Sequence, residues 1–320
     1  EGFFTVTDPM LILQPENSAA YSVKINLNIE GLNLEINKPL VYKSVDPAKG
    51  EVYRPFEVLP AIAVNFSAKA FTFQNGKPAG IQLNIIANED SVKGKVILNL
   101  PKGWKAEPAE FNLGIFSKNN NRIFETTITP PTTHSEGTIS AMVISNGDSI
   151  SYGIKRMEYD HIPYQFMLNE AKAKLVSSDI KLAGTNIGYI PGAGDEVAEC
   201  LAQIGYNVTI LSDELLSKMN LNGFDAIVTG IRAYNTNDWL QNHSQKLLDY
   251  INQGGNFIVQ YNTNNRIGPL ISKISPYPFN ISRERVTDEK AEIRFNEPAS
   301  STLNFPNKIS PDDFTGWKQE

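Results

Sequence analysis

From Asn186 to Gln260 the apolar positions switch repeatedly between strand-like runs and helical spacing. Asn186–Pro191 is a short apolar segment of strand character, followed by the tight turn Gly192-Ala193-Gly194-Asp195. Val197, Cys200, Leu201 and Ile204 then recur three and four residues apart. That spacing predicts a helix over Glu196–Ile204 with these residues on its apolar face. The pattern continues with a strand at Tyr206–Leu211, a short helix at Asp213–Met219 and a strand at Asp225–Gly230. A long helix at Asp238–Gln253, closed by Gly254-Gly255, leads to a fourth strand at Asn256–Gln260. Strands separated by helices of this length need crossover connections, so the predicted sheet is parallel and doubly wound. Beyond Ile267, prolines at 269, 276, 278, 298, 306 and 311 interrupt the pattern, leaving room for one further strand within Arg285–Phe295.

Residues 1–165 follow a period of two. Tyr21–Ile29, Leu32–Ile36, Leu40–Tyr42, Ile81–Ile86, Lys95–Leu100, Arg122–Ile128 and Gly137–Ser145 alternate apolar and polar positions between Gly, Pro and Asn punctuation. This is the pattern of antiparallel strands with one buried face, spaced as in a β-sandwich. The expected organisation is a partial β-sandwich unit over 1–60, divided at the proline-flanked stretch Tyr53–Pro60 from an immunoglobulin-like sandwich over 61–162. A linker over 163–180 follows, with Gln165–Leu175 as a connecting helix or extended link. An α/β domain spans 181–320 and is expected to be truncated. In the turn Pro101–Lys105, Trp104 is expected to pack on the sandwich edge. Both ends break into patterned sequence, as expected of a piece of a longer polypeptide.

Composition narrows the function classes. A length of 320 residues predicts two or three domains, and 41% hydrophobic with 20% charged residues suits packed cores. The net charge of −6 argues against nucleic acid or an anionic membrane surface as main partner. A single cysteine excludes an internal disulfide and a thiolate-built metal site. No apolar run reaches the roughly 18 residues that suggest a membrane span.

Chemistry is best sought at the carboxyl ends of the parallel strands. In a flavodoxin-like order 2-1-3-4, the loops after the first and third strands flank the switch point where ligands bind. Gly192, Gly194, Asp195 and Glu196 from the first loop, and Arg232, Tyr234 and Asn235 from the third, are the candidate ligand-binding residues. Asn262 and Asn264 join them from the loop Tyr261–Arg266 after the fourth strand. Arg, Tyr and Asn together suit a hydroxyl-rich ligand. The G-x-G-x-x-G spacing is not met, because position 197 is Val, and the acidic pair Asp195-Glu196 disfavours phosphate. Two plainer roles compete: Asp195 as a helix cap, and Arg232 paired with Asp195 or Glu196 to fix the loops.

Other centres are weak. His134 lies in a Pro/Thr-rich loop, His161 in the expected linker and His243 on the long helix bordering the core, so no metal ligand set is expected. Cys200 is expected in the core, and Pro311-Asp312-Asp313 reads as a turn or helix cap.

The strings Ile187–Val197, Gln203–Tyr206, Gly230–Asn235 and Phe314–Glu320, with Pro39–Tyr42 and Glu51–Pro55 upstream, resemble the C-terminal region of large PIG-L/LmbE-type deacetylases of Bacteroidetes. The resemblance covers essentially the whole chain. It implies a zinc-dependent N-acetylglucosamine deacetylase domain upstream, in a periplasmic or cell-surface polypeptide. The His-Pro-Asp-Asp motif of that domain is absent here, so no catalytic residue, metal or cofactor is carried over. The α/β part also resembles the class I glutamine amidotransferase-like fold. Where that fold places a nucleophilic cysteine after a central strand, this sequence has Tyr261-Asn262-Thr263. The resemblance implies a non-catalytic accessory region whose partners are glycan or the upstream deacetylase domain. The alternatives are an autonomous hydrolase using Asp195 and Glu196 as acid and base, and a purely structural spacer.

Overall fold

Two-residue alternation produces hairpins at the start of the chain. In the computed structural model, which describes residues 8–13, 19–115, 117–159, 161–264, 274–288 and 291–315, β1 (Ser22–Ile29) and β2 (Leu32–Pro39) pair antiparallel, with Ile25 opposite Ile36 and Leu27 opposite Leu34. This register gathers Val23, Ile25, Leu27, Ile29, Leu32 and Leu34 on one face, and that face is exposed. A second hairpin joins β3 (Val41–Asp46) to β4 (Gly50–Pro55). The expected partial sandwich over 1–60 is therefore two separate two-stranded ribbons among the described residues. A lone ribbon has no facing sheet with which to enclose a core. The expected divide at 53–60 also begins inside β4.

The next unit does enclose a core. Its strands are β5 (Ile62–Phe66), β6 (Ala70–Gln74), β7 (Ala79–Ala87), β8 (Lys95–Asn99), β9 (Lys105–Glu107) and β10 (Glu110–Asn112), then β11 (Asn121–Thr129), β12 (Ser135–Ser145), β13 (Asp148–Ile150), β14 (Tyr152–Met157), β15 (Gln165–Glu170) and β16 (Lys172–Ser178). One sheet runs β10-β8-β12-β16-β6, with β13 on β12; the other runs β5-β7-β11-β9. Alternate residues of both sheets, among them Leu83 and Ile85 of β7 and Ile139 and Val143 of β12, form one buried cluster. Trp104 lies inside this cluster rather than on the edge, donating its indole N–H to Ser135 Oγ at 3.1 Å and meeting Phe73 edge-on.

The expected linker over 163–180 is corrected. β15 pairs with β14, and β16 lies between β12 and β6 in the larger sheet. Ala171, Ala173, Leu175 and Ser177 are buried at every second position. Ala and Lys favour helix locally, but the alternating burial between two paired strands overrides that preference.

The remaining sheet is parallel throughout. Its strands β17 (Asn186–Ile190), β18 (Asn207–Ile210), β19 (Ala226–Thr229) and β20 (Asn256–Val259) are ordered β18-β17-β19-β20. Helix α1 (Val197–Gln203) packs with Ile187, Tyr189 and Val228 on one face. On the other face α2 (Asp213–Lys218), α3 (Ala233–Thr236) and α4 (Ser244–Asn252) pack on Ile190 and Ile227. The expected long helix is divided: Asp238–His243 is a 3₁₀ turn, opened by Leu240 N donating to Asn237 O, and α4 begins only at Ser244. Asp312 and Asp313 lie in a 3₁₀ turn, capped as expected, with Ser310 N donating to Asp313 Oδ2 at 2.6 Å. The strand expected within Arg285–Phe295 is not found among the described residues, where α5 (Ser301–Asn304) is the next regular element.

The parallel sheet is anchored to the sandwich through α1. Thr72 N on the edge strand β6 donates to Gln203 Oε1 at 2.9 Å, and Gln74 Nε2 donates to Ile204 O at 3.0 Å. The open edge of β6 is thus occupied by the end of a helix.

Candidate functional site

The loops after β17, β19 and β20 converge at the carboxyl ends of the strands; Asp195 ties the first two, and Arg232 N donating to Tyr261 O ties the last two. Asp195 Oδ1 accepts from the Tyr189 hydroxyl and from Val197 N at 3.2 Å; its Oδ2 accepts from Ile231 N at 2.9 Å. Burial alone would raise the Asp195 pKa, but the Tyr189 hydroxyl and the two backbone N–H groups outweigh it and hold the carboxyl below its ordinary value. Burial, then the Asp195 carboxylate, push the Tyr189 hydroxyl up. Asp195 thus does bond the first helical N–H, but it bridges two loops as well. With its oxygens committed and its ionised form favoured, it is poorly suited to donate a proton beside the exposed Glu196.

The glycines serve these contacts. Ala193 N donates to Ile231 O at 2.7 Å, and a Cβ on Gly192 would overlap that same oxygen. A Cβ on Gly230 would stand 2.7 Å from Asp195 Oδ2 and from the Tyr189 hydroxyl. Close approach is required here, but it is one loop approaching another. Gly194 differs: its φ is +95° and nothing lies within 4 Å of its missing Cβ.

The polar residues after β19 and β20 are largely bonded to each other. Asn235 and Thr263 exchange two bonds, Nδ2 to O and N to Oδ1, each 2.9 Å. Asn262 Oδ1 accepts from Tyr234 N at 3.1 Å, and its Nδ2 donates to Gln260 O at 2.8 Å. Tyr234, at 1% exposure, belongs to the core on the α4 face, and burial pushes its hydroxyl pKa up. Asn264 turns away to Ile281 O. Of the expected ligand-binding set, Tyr234, Asn235, Asn262 and Asn264 thus hold the loops in place. Arg266 lies outside the described residues.

Arg232 does not pair with Asp195 or Glu196. Among the described residues its guanidinium makes no ion pair, and its buried Nε has no partner. Its backbone adopts the left-handed conformation, φ +57°, and its N–H donates to Tyr261 O at 2.6 Å. Thr229 Oγ1 is likewise buried without a partner, as is Asn84 Oδ1 in the sandwich, whereas the buried Gln260 Nε2 lies beside the Tyr189 hydroxyl and tempers the rise in its pKa. Thr229, Gln260 and Tyr189 were not in the expected set. The available signal was a polar residue ending an otherwise apolar strand, as in Phe257-Ile258-Val259-Gln260. Beside the free edge of β20, Phe257, Val259, Gln260, Ile274 and Phe279 line a cleft of about 530 Å³.

No group of three metal-ligating side chains occurs among the described residues. His243, expected to border the core, is bonded to Asp213 at 2.6 Å. Cys200, expected to be buried, is exposed, because the buried side of α1 is centred on Ala198. Partial burial, then Glu196 and Glu199, push its thiol up, the reverse of an activated nucleophile. No helix among the described residues is long and apolar enough to cross a membrane.

No family model matches this chain, and no curated protein does. Solved structures with partial likeness include native E. coli alpha-2-macroglobulin, with TM-score 0.26 and 10% identity over 47% of this chain and 9% of that one. The third ScaB cohesin of R. flavefaciens, solved with a group 1 dockerin, has TM-score 0.23 and 10% identity over 36% of this chain and 94% of that one. A protein of unknown function from Porphyromonas gingivalis W83 has TM-score 0.25 and 11% identity over 42% of this chain and 61% of that one.

Proposed function

We propose that this chain is a non-catalytic accessory region of a PIG-L/LmbE-type N-acetylglucosamine deacetylase, binding glycan at the carboxyl ends of a flavodoxin-like, class I amidotransferase-like sheet. The immunoglobulin-like sandwich then holds this sheet relative to the deacetylase domain of the same periplasmic or cell-surface polypeptide. The single observation that carries the binding role is the pair of unpartnered buried polar atoms, Thr229 Oγ1 and Arg232 Nε, at and just beyond the end of β19. Buried polar atoms normally have partners, so their lack of one marks a place for a ligand or ordered water. The deacetylase link rests on the resemblance of the sequence strings alone.

The test is a titration of the chain with N-acetylglucosamine oligosaccharides, followed by NMR. Shifts at 192–196, 229–235 and 260–264 are expected. Shifts confined to the sandwich strands would overturn the reading. A structural spacer is the second reading, favoured by the commitment of Asp195, Asn235 and Asn262 to contacts between loops. It predicts no shift anywhere.

A further inference from the structure

We infer that the exposed aliphatic face of the β1–β2 hairpin is the contact surface of a homodimer, in which a second copy of this chain lays the same face over it. The hairpin turns through Glu30 and Gly31, both at positive φ, +51° and +87°. A two-residue turn of this kind fixes the register, and the register sorts the side chains. Lys24, Asn26, Asn28, Asn33 and Glu35 share one face. The other carries only Val, Ile and Leu from Val23 to Ile36, with Lys38 at its open end.

The polar face is complete in itself. Lys24 pairs with Glu35 at 2.7 Å, and Asn28 Nδ2 donates to Asn33 Oδ1 at 2.7 Å. The aliphatic face is not: Leu32 is 77% exposed and Ile29 58%, and Val23, Ile25, Leu27 and Leu34 are exposed as well. A two-stranded ribbon with such a face is marginal in water and calls for a cover.

Symmetry, composition and area select a second copy as that cover. Ile25 stands opposite Ile36, Leu27 opposite Leu34 and Ile29 opposite Leu32. A two-fold copy therefore sets aliphatic rows against aliphatic rows, as an isologous contact requires. Short of Lys38, the face has no aromatic, polar or charged side chain with which to select an unlike partner, and homodimer contacts are the more apolar class. Its exposed side chains offer about 600 Å² per copy, hence about 1,200 Å² in a face-to-face pair, the lower bound of stable interfaces. Charge then sets the orientation. Lys38 and Glu30 stand at opposite ends of the ribbon. A two-fold axis across the strands lays each turn over the other copy's open end and brings Glu30 of one copy toward Lys38 of the other, twice. An axis along the strands would stack like charges instead.

The test is sedimentation of the full chain over a range of concentrations, which should show a monomer–dimer equilibrium. Leu27→Lys, which buries two charges in the contact, should weaken the dimer about tenfold or more, with the melting of the sandwich unchanged. Asn26→Lys, on the opposite face, should leave the dimer intact. Glu30→Lys and Lys38→Glu should each weaken it severalfold, and the double variant should restore much of it. These two changes lie outside the aliphatic rows, so the proposal stays testable if Leu27→Lys unfolds the hairpin. A monomer at every concentration would overturn the inference and leave the face to an unlike partner. A dimer indifferent to Leu27→Lys would overturn it by placing the contact elsewhere. A ladder of higher oligomers would overturn it in favour of edge-to-edge strand pairing. Loss of the dimer in Leu27→Lys without restoration in the charge-swapped pair would support the face and overturn the crossed orientation.

Discussion

Asp195 Oδ2 accepts the backbone N–H of Ile231 at 2.9 Å, and this bond closes the two loops that flank the centre of the parallel sheet. A side chain placed to cap a helix here fastens one loop to another. The cleft between those loops is consequently filled by backbone, and the buried atoms left without a partner there are Thr229 Oγ1 and Arg232 Nε, at and just past the end of β19 itself.

Asp195→Asn should destabilise the protein by about 1–3 kcal/mol at neutral pH, the cost of weakening charge-assisted bonds to a partly buried carboxylate. The folded-state pKa of Asp195 lies below the unfolded value of about 3.9. Its contribution is therefore complete above that value and is lost as pH falls through the folded-state pKa. Urea unfolding at pH 7 and again near pH 3 should show the gap between wild type and variant shrinking at the lower pH.

The two glycines of the first loop should respond differently. Gly192→Ala forces a Cβ onto Ile231 O and should cost about 1–3 kcal/mol, because backbone must move. Gly194→Ala meets no neighbour and should cost about 1–2 kcal/mol through its positive φ alone. Hydrogen exchange separates them: the Ala193 amide, bonded to Ile231 O, should exchange faster in the first variant only.

Much of the parallel sheet was legible in the sequence. The four strands and first two helices fall within about a residue of the pattern, since apolar runs between helical spacings leave few alternatives. The Asp238–Gln253 helix was legible only in its second part. Its first turn contains Asn237 and Asp238, residues whose side chains compete for backbone bonds. Strands β15 and β16 were hidden because Ala171, Ala173 and Lys172 carry little strand preference, and their burial depends on β6, a hundred residues earlier. The loops of the site were located by strand-end logic. Their partners were not, because amide-to-backbone bonds such as Asn235 to Thr263 link residues 28 apart and leave no periodic trace.

Leu175→Ala checks the extent of the sandwich. Leu175 is fully buried on β16, so its truncation should cost about 2–5 kcal/mol in urea unfolding. Lys174→Ala on the same strand faces solvent and should change stability by about 0.5 kcal/mol or less. Equal, small effects of both would mean that 172–178 acts as a linker after all.

The last prediction concerns the junction between the hairpin β3–β4 and the sandwich. Arg156 Nη2 stands 3.2 Å from Glu57 Oε2, and its Nε donates to the Tyr164 hydroxyl, which in turn donates to Glu57. Arg54 stacks over the Tyr164 ring at 4.8 Å and pairs with Glu158. A network sharing one aromatic ring is stiffer than isolated surface pairs, each of which contributes about 0–1 kcal/mol. It should fix residues 53–60 against β14 and β15. Glu57→Arg and Arg156→Glu should each speed protease cleavage within 46–60 severalfold, with little change in the melting of the sandwich. The double variant Glu57→Arg/Arg156→Glu should restore much of the resistance, since the pair is re-formed with its charges exchanged. Cleavage rates that are additive in the double variant would show that the ion pair does not hold the segment.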